Sequence, residues 1–121
     1  MMVTHYSKDV LWLANKLGLK YHGNHVGAIV SCCSEQQLHT IACEQDIPES
    51  VMREIALNRK ADAEILDLVF SKKPTDGITL MLLACNPNAS DRLVEDISTS
   101  SSPNARDTAL SVLRLRHKAL A

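Results

Sequence analysis

The 121 residues predict an all-α domain. Three observations carry that prediction. Apolar residues spaced i, i+3 and i+4 recur about every 14 residues through the middle of the chain, one stripe of one short helix at a time. Good helix N-caps recur in the same register. Four glycines and four prolines are too few for an all-β chain, which needs a turn every ~8 to 12 residues.

Taken in order, Ser7 caps a first helix whose buried face is Val10, Leu13, Ala14 and Leu17, and Gly18 is its natural stop. The turn Lys20-Tyr21-His22-Gly23-Asn24 leads into an apolar stretch from Val26 to Cys33. That stretch reads as a helix capped by Asn24, with a short strand over Gly27-Ala28-Ile29-Val30 as the alternative. From residue 34 onward a shift of 14 aligns Ile41, Ile55, Val69, Leu83 and Ile97 in one column and Ala42, Ala56, Phe70, Ala84 and Ser98 in the next. Three residues earlier stand Leu38, Met52, Leu66, Leu80 and Val94. Ser34, Asp62, Asp76 and Ser90 share the cap column, and Ser34 with Gln37 matches a capping box. Pro48 interrupts that column but favours a first turn, with Asp46 as the cap there. Cys33, Ile47, Ala61, Thr75 and Ala89 precede the caps, placed to staple onto the Leu38 column.

Helices are therefore expected at 34–44, 48–58, 62–72, 76–86 and 90–100. The joining loops of about 3 or 4 residues make neighbours antiparallel or sharply angled. Ser-Thr-Ser-Ser-Ser-Pro over 98–103 breaks the register, and Ser102 and Pro103 open a longer helix with the stripe Ala109, Leu110, Leu113, His117 and Leu120. The whole reads as one domain of about seven or eight short antiparallel helices, stacked as a small right-handed α-solenoid. Residues 1–33 form N-terminal capping helices, 34–100 the repeating helices and 102–121 a C-terminal capping helix.

Composition fits. The chain is 45% hydrophobic with only Tyr6, Trp12, Tyr21 and Phe70 as aromatics, so its core is aliphatic. Formal net charge is −1, giving no global attraction to nucleic acid or membrane. The charge is uneven, however: residues 34–105 carry 6 basic and 12 acidic side chains, while residues 106–121 are at +3. No run reaches the ~18 apolar residues needed to span a bilayer. The N-terminus lacks the basic and apolar regions of a signal peptide, so a cytoplasmic location is expected. Cys32, Cys33, Cys43 and Cys85 lie in apolar stretches without disulfide-framework spacing, which agrees.

The segment Leu-Leu-Ala-Cys-Asn-Pro-Asn-Ala-Ser-Asp-Arg-Leu-Val-Glu-Asp-Ile (82–97) resembles the units of leucine-rich repeat variant proteins, a bacterial α-solenoid family. Ile-Ala-Cys-Glu-Gln-Asp-Ile-Pro-Glu-Ser-Val-Met-Arg-Glu-Ile (41–55) reads the same way, and the likeness extends over about residues 38–98. A helix pair here takes 28 residues, longer than that family's unit and shorter than a HEAT-like one. The resemblance implies a surface that binds another macromolecule and no catalytic residue.

Three sets of side chains are candidates for chemistry. His22, His25, Cys32, Cys33, His39 and Cys43 offer imidazole and thiolate donors, with His39 and Cys43 one helical turn apart, and so form a candidate metal site. No Cys-x-x-Cys pair is present, and packing accounts for Cys33 and Cys43. The carboxylates Glu44, Asp46, Glu49 and Glu54 fit solvated helix sides. No nucleophile elbow, phosphate loop or His-Glu-x-x-His helix occurs, so no enzyme activity and no cofactor are expected. Arg106, Arg114, Arg116 and Lys118 make a basic C-terminal helix that could contact phosphates, although no aromatic is interleaved for base stacking.

The expected function is that of a protein–protein interaction module or small scaffold, working as a monomer or homodimer. A contiguous patch of exposed apolar or acidic residues along one face of 34–100 is its signature. The alternatives are a nucleic-acid-associated protein using the basic helix and a metal-binding protein using the His/Cys cluster.

Overall fold

A computed structural model describes residues 7–20 and 23–119. It contains eight α-helices: α1 (Lys8–Leu17), α2 (Val26–Ser31), α3 (Glu35–Ala42), α4 (Glu49–Leu57), α5 (Ala63–Ser71), α6 (Gly77–Cys85), α7 (Asp91–Ile97) and α8 (Pro103–Ala119). The described residues include no strand, so the apolar stretch after Asn24 is helical.

The caps explain where most helices begin. Side chains of Ser7, Ser34, Asp62, Asp76 and Ser90 accept first-turn backbone N–H groups, and Ser34 with Gln37 closes a full capping box. Gly18 ends α1 at φ 65°, a left-handed conformation that costs a side-chain-bearing residue energy. Two expected caps do not form. The N-cap of α2 is His25, one residue beyond Asn24, and its side chain makes no capping bond. Pro48 occupies the N-cap of α4, so the Asp46 carboxylate stands too early in the chain to reach the first turn. Proline's fixed φ pre-sets that entry without a side-chain acceptor.

Two of the three apolar 14-residue columns lie wholly in the core, whereas in the Ala42 column Phe70 and Ser98 are half-buried. Ile41, Ile55, Val69, Leu83, Ile97, Leu38, Met52, Leu66, Leu80 and Val94 are all buried. Cys33, Ile47, Ala61 and Ala89 are buried as expected of staple positions; Thr75 is exposed, and Pro74 is buried beside it. The last helix departs from its expected stripe. Ala105 and Ala109 are buried and Val112, Leu113 and Arg116 half-buried, whereas Leu110 is 43% exposed and His117 is exposed. Leu120 lies outside the described residues. The reason is that α8 packs on both α6 and α7, so its buried arc turns toward residues 105, 109, 112 and 116.

Helix contacts skip along the chain. α2 packs on α4, α4 on α6 and α6 on α8, forming one row. α1 packs on α3 and α3 on α5, beginning a second row, and α4 also touches α5. Alternate helices thus share a row, from α2 to α8 in the first and from α1 to α5 in the second.

The first row is also linked by hydrogen bonds that the 14-residue columns do not reveal, their donors 28 positions apart. Asn58 Nδ2 donates to Val30 O (3.0 Å), and 28 positions later Asn86 Nδ2 donates to the carbonyls of Ala56 and Asn58 (3.0 Å each). Lys60 Nζ donates to Cys33 O (3.1 Å), and 28 positions later Asn88 Nδ2 donates to Arg59 O (2.7 Å) and Ala61 O (2.9 Å). Arg116, 28 positions on again, donates to Asn86 O (3.5 Å). Each turn after a helix of the first row is therefore tied through its loop carbonyls to the next such turn.

Candidate functional site

Among the described residues the members of the candidate metal cluster do not come together. His22 lies outside the described residues. His25 is exposed at the start of α2 and Cys32 is exposed at its end. Cys33 points inward, with Sγ donating to Ile29 O (3.3 Å), and burial raises its thiol pKa first of all, with Cys32 adding to the rise. Among the described residues no three His, Cys, Asp or Glu side chains come together as metal ligands.

His39 and Cys43 do meet, across the last turn of α3. Nδ1 of His39 stands 3.7 Å from Cys43 Sγ, and its Nε2 lies 3.2 Å from Glu64 Oε1 on α5. A thiol, an imidazole and a carboxylate in line have the outline of a nucleophile relay. Cys43 is, however, the exposed C-cap of α3, at the carbonyl end of the helix. Glu64 is 72% exposed in its side chain, so its contact with His39 is a solvated surface contact of little energetic weight.

The same inter-helix groove has a volume of about 530 Å³ and is lined by Glu35, Gln36, His39, Thr40, Asp62 and Ile65. Asp62 is held below the usual carboxylate range by the backbone N–H of Ile65, which its cap accepts; Glu35 is raised, chiefly by its hydrogen bond to Asp62. This groove belongs to an acidic surface. Glu35 on α3, Glu64 and Asp67 on α5, and Asp91, Glu95 and Asp96 on α7 are all exposed, with Arg92 the only cation of those three helices.

The basic C-terminal helix is partly committed to structure. Arg116 pairs with Asp91 Oδ1 at 2.8 Å, in addition to its bond to Asn86 O. Arg106, Arg114 and Lys118 remain exposed.

The other outer surface, that of α4, α6 and α8, is different in kind. α6 reads Gly-Ile-Thr-Leu-Met-Leu-Leu-Ala-Cys. Thr79, Leu80, Leu83 and Ala84 face the core, which leaves Ile78, Met81, Leu82 and Cys85 as the opposite stripe. Ile78 is 54% exposed, Cys85 is exposed and Met81 and Leu82 are half-buried. Leu57 at the end of α4 (57% exposed) and Leu110 on α8 (43%) stand on the helices flanking α6. Of the five large exposed apolar side chains, Leu11, Leu57, Ile78, Leu110 and Leu115, four lie on this row. Beside Leu57 a groove of about 220 Å³ runs between α2 and α4, lined by Gly27, Ser31, Glu54, Leu57, Asn58 and Arg59. A cavity of about 340 Å³ under the first turn, lined by Leu17, Leu19, Gly23, Ala28, Ile29, Cys32, Cys33 and Gln37, is mainly apolar.

Compared with known proteins, the chain matches no family model, no curated protein and no solved structure. Sequence reading placed the basic helix and the His39–Cys43 pair but missed the apolar strip. Its signal was present in α6, whose apolar residues leave no polar side.

Proposed function

We propose that the chain is a protein-interaction module, a small helical-repeat scaffold of the leucine-rich-repeat-variant or HEAT-like kind acting in the cytoplasm, and that it binds a partner protein on the outer surface of α4, α6 and α8. The observation that carries this reading is the apolar character of α6 on every side. A helix apolar all round is ordinarily covered all round, and here Ile78 and Cys85 are exposed and Met81 and Leu82 only half-buried. Exposed apolar stripes of this kind mark binding surfaces. Nucleic acid is disfavoured, because the outer sides of α3, α5 and α7 are acidic and Arg116 is engaged by Asp91.

The test is a pull-down from native lysate with and without nuclease, using wild type and Ile78→Asp. Ile78 is exposed and lies in the first turn of α6, where an acidic residue suits the helix dipole, so the variant keeps its fold. A protein captured by wild type after nuclease and lost from Ile78→Asp supports the module. Capture that vanishes with nuclease, or that the substitution leaves unchanged, overturns it.

A further inference from the structure

We infer that the occupant of the α6 strip is an acidic amphipathic helix of another protein. This rests on the proposed interaction role and names the partner's chemistry.

The strip has the dimensions of a helix seat. Ile78, Met81, Leu82 and Cys85 are spaced i, i+3, i+4 and i+7, about 10 Å of apolar ridge, and the flanking helices add Leu57 and Leu110. Such a ridge matches the apolar stripe of a helix laid against it. The rim supplies the sign of the charge. Arg106, Leu110, Arg114 and Lys118 follow one another at four-residue intervals on α8, the helix packed beside α6, and the three cations are exposed. Arg59 stands exposed at the groove beside Leu57. Of the nearby anions, Glu54 is turned onto α2, its carboxylate about 3.2 Å from where a Cβ on Gly27 would sit. Arg53, on α4, lies 3.7 Å from Asp76. Asp107 is left as the opposing charge on the α8 rim.

The opposite surface strengthens the assignment. Its exposed Glu35, Glu64, Asp67, Glu95 and Asp96 repel an acidic partner, so the molecule's own field turns such a partner toward α6 and α8. A second copy fits worse. Strip against strip joins two surfaces with the same excess of cations, and the outer sides of α3, α5 and α7 offer polar residues where the strip needs apolar ones.

Cys85 provides a local reporter, because it lies in the strip and is exposed, while the exposed Cys43 lies on the acidic side as an internal control. The full chain is alkylated in the presence of synthetic peptides of about 18 residues. One carries Leu at i, i+3, i+4 and i+7 with Glu flanks, a second has Lys flanks, and a third has Glu flanks with Ser in place of Leu. Vesicles containing anionic lipid form a further arm. The expected result is that only the Glu-flanked Leu peptide slows Cys85 alkylation, by about fivefold or more, with Cys43 unchanged and the effect weakened by salt. Arg114→Glu should then shift the preference toward the Lys-flanked peptide. Equal or better protection by the Lys peptide overturns the acidic occupant and leaves the strip standing as an apolar docking site. Protection by vesicles alone, or by raising the protein's own concentration, assigns the strip to a membrane or to a second copy. No protection in any arm overturns both the occupant and the strip.

Discussion

The side-chain amide of Asn86 is 5% exposed and donates to two carbonyls from the preceding helix pair, those of Ala56 and Asn58. Asn86→Ala leaves both carbonyls without this donor inside the protein, and the expected loss of stability is about 2–4 kcal/mol. Urea unfolding checks it: the midpoint should fall with the slope unchanged, and an unmoved midpoint would contradict the structural role. Thr79 is the converse case. It is fully buried and its hydroxyl finds no partner among the described residues, so Thr79→Val should stabilise by about 1 kcal/mol, read as a higher thermal midpoint. The cysteines differ by environment in the same way. Cys32, Cys43 and Cys85 are exposed and should react with a thiol reagent in the native state; Cys33 should wait for unfolding. Because burial raises the pKa of Cys33, its contribution to stability is present below the ordinary thiol range and is lost as pH rises through the raised value. A Cys33 thiol as reactive as the others would show that the turn after α2 is not closed.

At the scale of the helix, the caps are where stability and sequence meet most directly. Ser90 Oγ accepts from the Leu93 N–H at 3.1 Å, and Ser90→Ala should cost about 1 kcal/mol while Ser90→Asp should cost little. Asp62 shows the same bond with a pH dependence. Its folded-state pKa is lowered, so its contribution is present above the ordinary Asp range and disappears as pH falls through the lowered value. Asp62→Asn, which keeps an acceptor oxygen and loses the titration, should flatten that part of the acid limb of stability; an unchanged acid limb would assign the effect to other carboxylates. These caps, and the columns around Ile41 and Leu83, were legible because each depends on residues a few positions apart on one helix. The carbonyl ties were not. A shift of 14 sets Asn58 opposite Glu44 and Lys72, and only a shift of 28 brings it opposite Asn86. The stripe of α8 was misplaced for a related reason: which arc of a terminal helix is buried depends on the two helices it meets, and no local spacing encodes that. The apolar strip escaped because a helix without a polar side has no periodicity to read.

For the molecule as a whole, two outer surfaces of opposite character follow from assigning alternate helices to separate rows. Glu35, Glu64, Asp67, Glu95 and Asp96 are exposed on α3, α5 and α7, and Ile78 and Cys85 on α6, with Arg106 and Arg114 exposed on the neighbouring α8. The two edges joining those surfaces are also built differently. Along one edge, turns are sewn together through backbone carbonyls by Asn58, Lys60, Asn86 and Asn88. Along the other, neighbouring turns meet through charged and hydroxyl side chains: Glu49 accepts from the N–H and hydroxyl of Thr75, Arg53 pairs with Asp76, and Lys16 with Glu44. The first edge behaves like the spine of a book and the second like its loose fore-edge. Bending should therefore be directional, with pages that fan apart at the turns near residues 44–48, 72–76 and 98–102 while the spine keeps its spacing. Raised ionic strength should loosen only the fore-edge, giving faster amide exchange in those turns than in 58–61 and 86–89, and so a molecule whose curvature responds to salt.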